Sequence, residues 1–477
     1  MRTTVEDMER FPPEEAARQV LDAWADCDVC RFLMDTSCLF FPELYRLFDR
    51  EFEGGEKATS HELRELVDLC NFCGQCPCPN IRSGIIEAKT RFIERDGLKF
   101  GVRTIEDVER IAALCGAFPR LTNALFQARP TGGILKAAMG IHESRKMPLF
   151  PKETFPDRAK KNNLAVKGRG NGTRKVAYFA GCTGKYLFPE VPGAVVEVFQ
   201  QNGFEVYFPE QKCCGMPPFL EGDRQVTLDF ARFNVERLAD LVEEGYDVVC
   251  SCPTCGYMLR TVLGEGACFS DEYQDLVGGD EKNLLVPAKK ALGDHGERKL
   301  EAFSKTIYKG ILRDDGYFSS ISPLKRIRVA ENTYDLGQYL AHLYSKGELS
   351  PQLGPVSARM VYYPPCHLRE QEIGRPYENL LKTVPGLDLE VLGDAFYCCG
   401  LAGVMGFKRE FHDKSIHLGS PLMEKIREIN PEKIVTDCLR RLAEINWTKL
   451  RSDLGHIWLR RLSKTAGVAG LRRGFCD

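Results

Sequence analysis

The tripeptide Cys213-Cys214-Gly215 returns 185 residues later as Cys398-Cys399-Gly400, and this repeat constrains the chain more than any other feature. Adjacent cysteines on a regular strand point to opposite faces, because strand side chains alternate. On a turn the two sulfurs can converge, and the glycine that follows can take a positive φ. Each pair has a single cysteine about thirty residues upstream, Cys182 and Cys366. Each has more cysteine downstream, Cys252-x2-Cys255 and Cys438. The spacers are 30 and 37 residues in the first nest and 31 and 38 in the second. Arg441 stands where the second nest should have its last cysteine. The first nest therefore offers five thiols and the second four. Five is one more than a cubane needs, and a bridging thiolate in the vicinal pair would use the fifth.

The chemistry open to these thiols depends on the compartment. The start, MRTTVEDMERFPPEEAARQV, has early acids and no apolar core, so it does not read as a secretory signal. No run approaches the ~18 apolar residues of a membrane helix. A cytoplasmic location is expected, with any contact with the cytoplasmic membrane peripheral and made through a partner. The net charge of −2 gives no attraction to nucleic acid. The cytoplasm keeps thiols reduced, which disfavours a disulfide framework and a vicinal disulfide in either pair. Twenty cysteines in tight groups then read as metal ligation. None of the eight histidines completes a CxxC…HxxxH pattern, so the zinc alternative is zinc held by four cysteines.

Residues 1–149 form a helical module. Its lead-in helix places Ala17, Val20, Leu21 and Trp24 on one face. Seven cysteines follow: Cys27, Cys30 and Cys38, then Cys70-x2-Cys73-x2-Cys76-Pro77-Cys78-Pro79. The second group resembles the bacterial ferredoxin run, with a last spacer of one residue instead of three. Two four-iron clusters take eight thiolates, one more than the seven present. The preferred division gives Cys70, Cys73 and Cys76 to one cluster, with Cys38 crossing over, and Cys27, Cys30 and Cys78 to the other. A helix over 104–118 is expected to start at a Thr104 cap and to bury Cys115 as a small apolar residue. Residues 150–174 are basic, rich in Gly, Pro and Asn, and read as a linker.

From residue 175 short apolar runs alternate with helical periods. The expected strands are 175–181, 204–209 and 246–251, each running into a cysteine group, with helices over 191–203 and 227–245. Such alternation predicts a parallel sheet, whose ligand crevices lie just beyond the strand ends. Residues 269–332 carry charged, helix-compatible stretches and read as an insertion. Residues 333–477 repeat the scheme, with a helix from Thr333, strands over 358–365, 389–393 and 433–438, and a helix over 409–429. Cys250 is expected to pack within its strand, while Cys268 and Cys476 look incidental. No GxGxxG follows a strand, so flavin or nucleotide chemistry is expected in another chain.

The motifs FAGCTG, KCCGMPP, PPCHL and YCCGLAGVMG, behind a ferredoxin-like run, resemble the CCG-domain (cysteine-rich domain) iron–sulfur oxidoreductase family. The arrangement is similar to the D subunit of heterodisulfide reductase and the C subunit of anaerobic glycerol-3-phosphate dehydrogenase. The implied fold class is α+β overall. An N-terminal α-helical ferredoxin-like module precedes two tandem Rossmann-like, parallel-sheet CCG domains, 175–332 with the insertion and 333–477. The resemblance implies a non-cubane 4Fe-4S cluster on Cys182, Cys213, Cys214, Cys252 and Cys255. It also implies a second, altered site on Cys366, Cys398, Cys399 and Cys438, beside two ferredoxin-type 4Fe-4S clusters. The expected function is that of an electron-transfer subunit, relaying electrons from a flavoprotein partner to a quinone or other carrier, with a quinone or membrane subunit as a further partner. A disulfide or thiol reductase acting at Cys213 and Cys214 is the alternative, and a zinc-stabilised scaffold the second. His367, next to Cys366, is a candidate donor to a cluster sulfur or a substrate.

Overall fold

A computed structural model describes residues 12–24, 31, 38–74, 76, 80–168, 174–288, 299–305, 314, 316–349, 353–393, 397–401 and 403–438. Cys27, Cys30, Cys78, Arg441 and Cys476 lie outside the described residues.

The N-terminal module is helical: α1 (Pro13–Trp24), α2 (Phe40–Phe52), α3 (Ser60–Asp68) and α4 (Asn80–Asp96). Ala17, Val20 and Leu21 of α1 are buried, as the helical period requires. They meet Phe41, Leu44, Leu66, Ile85 and Phe92 in one core that also takes Met405 and Phe411 from the far end of the chain. A capping box starts α3: Glu62 N–H donates to Thr59 Oγ1 at 3.2 Å, and Thr59 N–H donates to the Glu62 carboxylate at 2.9 Å.

Two parallel sheets follow. The first has β1 (Lys175–Phe179), β2 (Glu205–Tyr207), β3 (Asp247–Cys250) and, after an antiparallel hairpin of β4 (Asn283–Pro287) and β5 (Leu300–Ser304), β6 (Thr333–Asp335). Its order is β2-β1-β3-β6, with every pair parallel. The second sheet, β7 (Ala358–Tyr362), β8 (Leu387–Val391) and β9 (Lys433–Val435), has the order β8-β7-β9. The central strand of each copy comes first in sequence, so the internal repeat is a repeat of topology. Past their first residues the central strands are apolar and buried, over 176–179 on β1 and 360–362 on β7, because both faces are covered. Val176 and Tyr178 face one core while Ala177 and Phe179 face another. On β7, Met360 and Tyr362 face the first of those cores too, and Val361 faces a third. The two sheets thus share one apolar core, which the helices Glu190–Gln201, Leu336–Ser345 and Pro376–Lys382 help to fill.

Several expected elements differ. Thr333 opens strand β6 of the first sheet, and the helix begins only at Leu336. The expected linker holds the helix Phe155–Lys161, anchored by a buried Phe155. The stretch from Leu300 is a strand of the hairpin. Thr104 lies inside the helix Phe100–Glu106, and Asp107 caps the next helix by accepting from Arg110 N–H at 2.9 Å. Among the described residues no helix is long and apolar enough to cross a membrane.

Candidate metal centres at two strand ends

Every described nest cysteine lies just past the C-terminal end of a parallel strand or on the loop that follows it. Cys182 follows β1 on the short helix Gly181–Tyr186, Cys213 and Cys214 follow β2, and Cys252 and Cys255 follow β3. Cys366, the Cys398-Cys399 pair and Cys438 follow β7, β8 and β9 in the same way.

The first nest is deep. Cys213 is 0% and Cys214 2% exposed, and Cys182, Cys252 and Cys255 are buried with them. The sulfurs of Cys182 and Cys213 are 3.5 Å apart. Hydrogen bonds from Cys213 and then Cys255 pull the Cys214 thiol below its ordinary pKa despite burial. The matching bond to Cys214 pushes Cys255 up. One anionic sulfur is thus favoured among five packed thiols, an environment suited to thiolate ligation. Buried polar groups fix the loops. Gln211 accepts from the N–H groups of Ala180 at 3.0 Å and Gly181 at 3.3 Å, and donates to Tyr178 O at 3.0 Å. Asn234, on the helix Arg224–Glu243, donates to the Cys213 carbonyl at 2.9 Å. Lys185 is buried near Cys182, donating to Gln211 O at 2.7 Å and pairing with Glu109.

The second nest is more open. Cys366, Cys398, Cys399 and Cys438 are half-buried and line a cavity of about 60 Å³. Cys73 of the N-terminal module lines it too, beside His367, Thr254 and Met216. The Cys398 sulfur accepts from Gly400 N–H at 3.3 Å. Ser415 donates to the Gly400 carbonyl at 2.5 Å. A hydrogen bond with Cys399, then burial, raises the Cys398 thiol well above its ordinary value.

His367 stands between the nests, 7% exposed. Nδ1 meets Thr254 Oγ1, inside Cys252-Pro-Thr-Cys255, at 3.0 Å. Nε2 lies 3.1 Å from the Phe72 carbonyl, so that nitrogen carries the proton. The ring stacks on Tyr257 at 5.0 Å. In the N-terminal module, Cys38, Cys70 and Cys76 pack against the helical core, and Cys73 is turned to the second nest. Cys115 is half-buried, while Cys250 is buried on β3 opposite Phe179 and Asp335. Among the described residues no three His, Cys, Asp or Glu side chains converge on a single ion position. Sequence reasoning does not find Gln211, Asn234, Ser415 or Lys185. Lys185, three residues past Cys182, and Gln211, two before Cys213, are the ones with a local signal.

Residues 176–260 and 360–440 each match the cysteine-rich domain (CCG) family. The first matched stretch holds β1 to β3 with the first nest, and the second holds β7 to β9 with the second nest. It is homologous to the C subunit of the anaerobic glycerol-3-phosphate dehydrogenase of Escherichia coli K12, 27% identical over 323 residues. That match covers 67% of this chain and 66% of the relative. The B subunit of the fumarate reductase (CoM/CoB) of Methanothermobacter marburgensis is 24% identical over 59% of the chain and 43% of its own length. Lactate utilization protein A of a Geobacillus species is 24% identical over 55% of the chain and 87% of its own length.

Proposed function

We propose that the chain is an iron–sulfur electron-transfer subunit of an oxidoreductase complex, taking electrons from a flavoprotein partner and passing them to a quinone or another carrier. One observation carries this reading: Cys73 of the N-terminal module, the four cysteines of the second nest and Thr254, which lies between the first-nest cysteines Cys252 and Cys255, line one cavity. Clusters bound there would supply one-electron redox steps. The protein's own residues fix the sulfurs, exclude water and tune the sites through hydrogen bonds to sulfur, as Gly400 N–H does at Cys398. In the first nest Cys182, Cys213, Cys214, Cys252 and Cys255 would be the ligands. In the second they would be Cys366, Cys398, Cys399 and Cys438. Ferredoxin-type clusters would use Cys38, Cys70, Cys73 and Cys76 with Cys27, Cys30 and Cys78.

Burial favours relay over the disulfide-reductase alternative at Cys213 and Cys214. An electron can cross packed protein, whereas a disulfide substrate must touch its reductant, and both sulfurs are covered. His367 then acts as a positioning residue. Anaerobic purification with iron and sulfide analysis tests the reading. At least about eight irons per chain with matching sulfide are expected, the content of two cubanes. Stoichiometric zinc without sulfide would instead establish the scaffold. A paramagnetic species formed only with disulfide and lost in Cys214→Ser would establish the reductase.

A further inference from the structure

We propose that Cys73 is a ligand of the second CCG nest. The N-terminal module would supply the fifth thiolate that the second domain lacks, where its own sequence has Arg441. The inference rests on the iron–sulfur reading of the nests and assigns one of its ligands anew.

The loop that carries Cys73 is built to reach away from its own module. Phe72, just before it, has φ of 55°, and Gly74, just after it, has φ of 77°. A left-handed conformation at a non-glycine aromatic is strained and persists only where surroundings hold it. Here they do. The Phe72 ring meets Phe219 edge-on at 5.2 Å, and its carbonyl accepts from His367, the residue next to the ligand candidate Cys366. Gly74 is pressed against the second domain, where any side chain would come within 1.8 Å of the Glu370 carboxyl carbon. The double reversal places Cys73 in the wall of the cavity formed by Cys366, Cys398, Cys399 and Cys438. Cys70 and Cys76, three residues to either side, stay with the helical core of the module. Three cysteines at ferredoxin spacing therefore do not share one destination. The second nest regains the five-sulfur count of the first from a different part of the chain. The cysteine-bearing loop also becomes a direct link from the module to the second nest.

The test uses the full-length protein, purified and reduced anaerobically, and electron paramagnetic resonance. Cys70→Ser identifies the signal that depends on the module, and Cys399→Ser the signal that depends on the second nest. Cys73→Ser is expected to alter or remove the Cys399-dependent signal and to leave the Cys70-dependent one unchanged. Cys73→Asp, which keeps an anionic ligand, is expected to shift the same signal without abolishing it. It provides the comparison if the serine variant does not fold. Loss of the Cys70-dependent signal in a folded Cys73 variant, with or without the other, would overturn the assignment. An unaltered spectrum would overturn it equally. A wild-type protein free of iron would remove the iron–sulfur reading itself and this assignment with it.

Discussion

Glu106 is 1% exposed at the end of the helix Phe100–Glu106, facing Asp223 and Glu221. Burial first, then those two carboxylates, raises its carboxyl to about 8 from an ordinary 4.5, with Arg103 opposing weakly. The protonated acid can donate to Asp223, which itself caps the helix Arg224–Glu243 at Val226 N–H, 3.1 Å away. A carboxyl raised on folding holds its proton more tightly in the folded state. Its contribution is complete below about pH 4.5 and is lost as pH rises through about 8, at up to ~1.4 kcal/mol per pH unit. Glu106→Gln keeps a donor and removes the titration. The melting temperature of this variant minus that of wild type is expected to climb from about pH 5 to about pH 8 and then to level off. A difference that stays flat across that range would show that Glu106 does not titrate there.

The two Cys-Cys-Gly turns look equivalent on paper and differ in their surroundings. Both glycines have positive φ, 93° at Gly215 and 77° at Gly400. A methyl on Gly215 would meet nothing closer than 3.5 Å, whereas on Gly400 it would lie 2.2 Å from the Ser415 carbonyl oxygen. Gly215→Ala is expected to cost about 1–2 kcal/mol of backbone strain. Gly400→Ala adds a backbone collision and should cost at least about twice as much, with loss of the second-nest spectrum before the first. Equal losses of melting temperature in the two variants would contradict this. What the sequence made legible follows the same logic. Strands buried on both faces, such as Lys175–Phe179, write their position as an apolar run, and cysteines beyond them write the site. Short elements set by tertiary contact do not. Thr333–Asp335 is recruited by β3, and Leu300–Ser304 by its hairpin partner. Thr104 resembled a cap, yet its hydroxyl donates to the Phe100 carbonyl at 2.9 Å, and Asp107 caps instead. The supports Asn234 and Ser415 reach the nests across 21 and 15 residues, so no local pattern marks them, and Gln211, beside Cys213 in the chain, acts on the loop after β1, 31 and 30 residues away.

At the scale of the whole molecule, the proposed relay requires the N-terminal module to stay seated against the domains that carry both nests. Arg82 of α4 is one polar tie that reaches both. Its Nη1 donates to Glu370 of the second domain at 2.7 Å and to the Tyr257 hydroxyl of the first at 2.9 Å. Lys89, also on α4, bridges the carbonyls of Cys70 at 2.8 Å and Leu220 at 3.1 Å. The Arg82–Glu370 pair is largely buried, with 13% and 18% of the side chains exposed. Removing one partner strands a poorly hydrated charge, whereas removing both leaves none. Arg82→Met and Glu370→Met should therefore each lower the melting temperature, and the double variant should recover part of the loss. The expected coupling is about 1.5–3 kcal/mol, the range for hydrogen bonds to charged groups. Burial should make this coupling nearly insensitive to added salt, unlike that of exposed pairs such as Lys167–Glu244. The single variants should also release N-terminal fragments to trypsin faster than the double variant does. Strictly additive losses, or a coupling that disappears in salt, would mean that the Arg82–Glu370 pair does not help to hold the module in place.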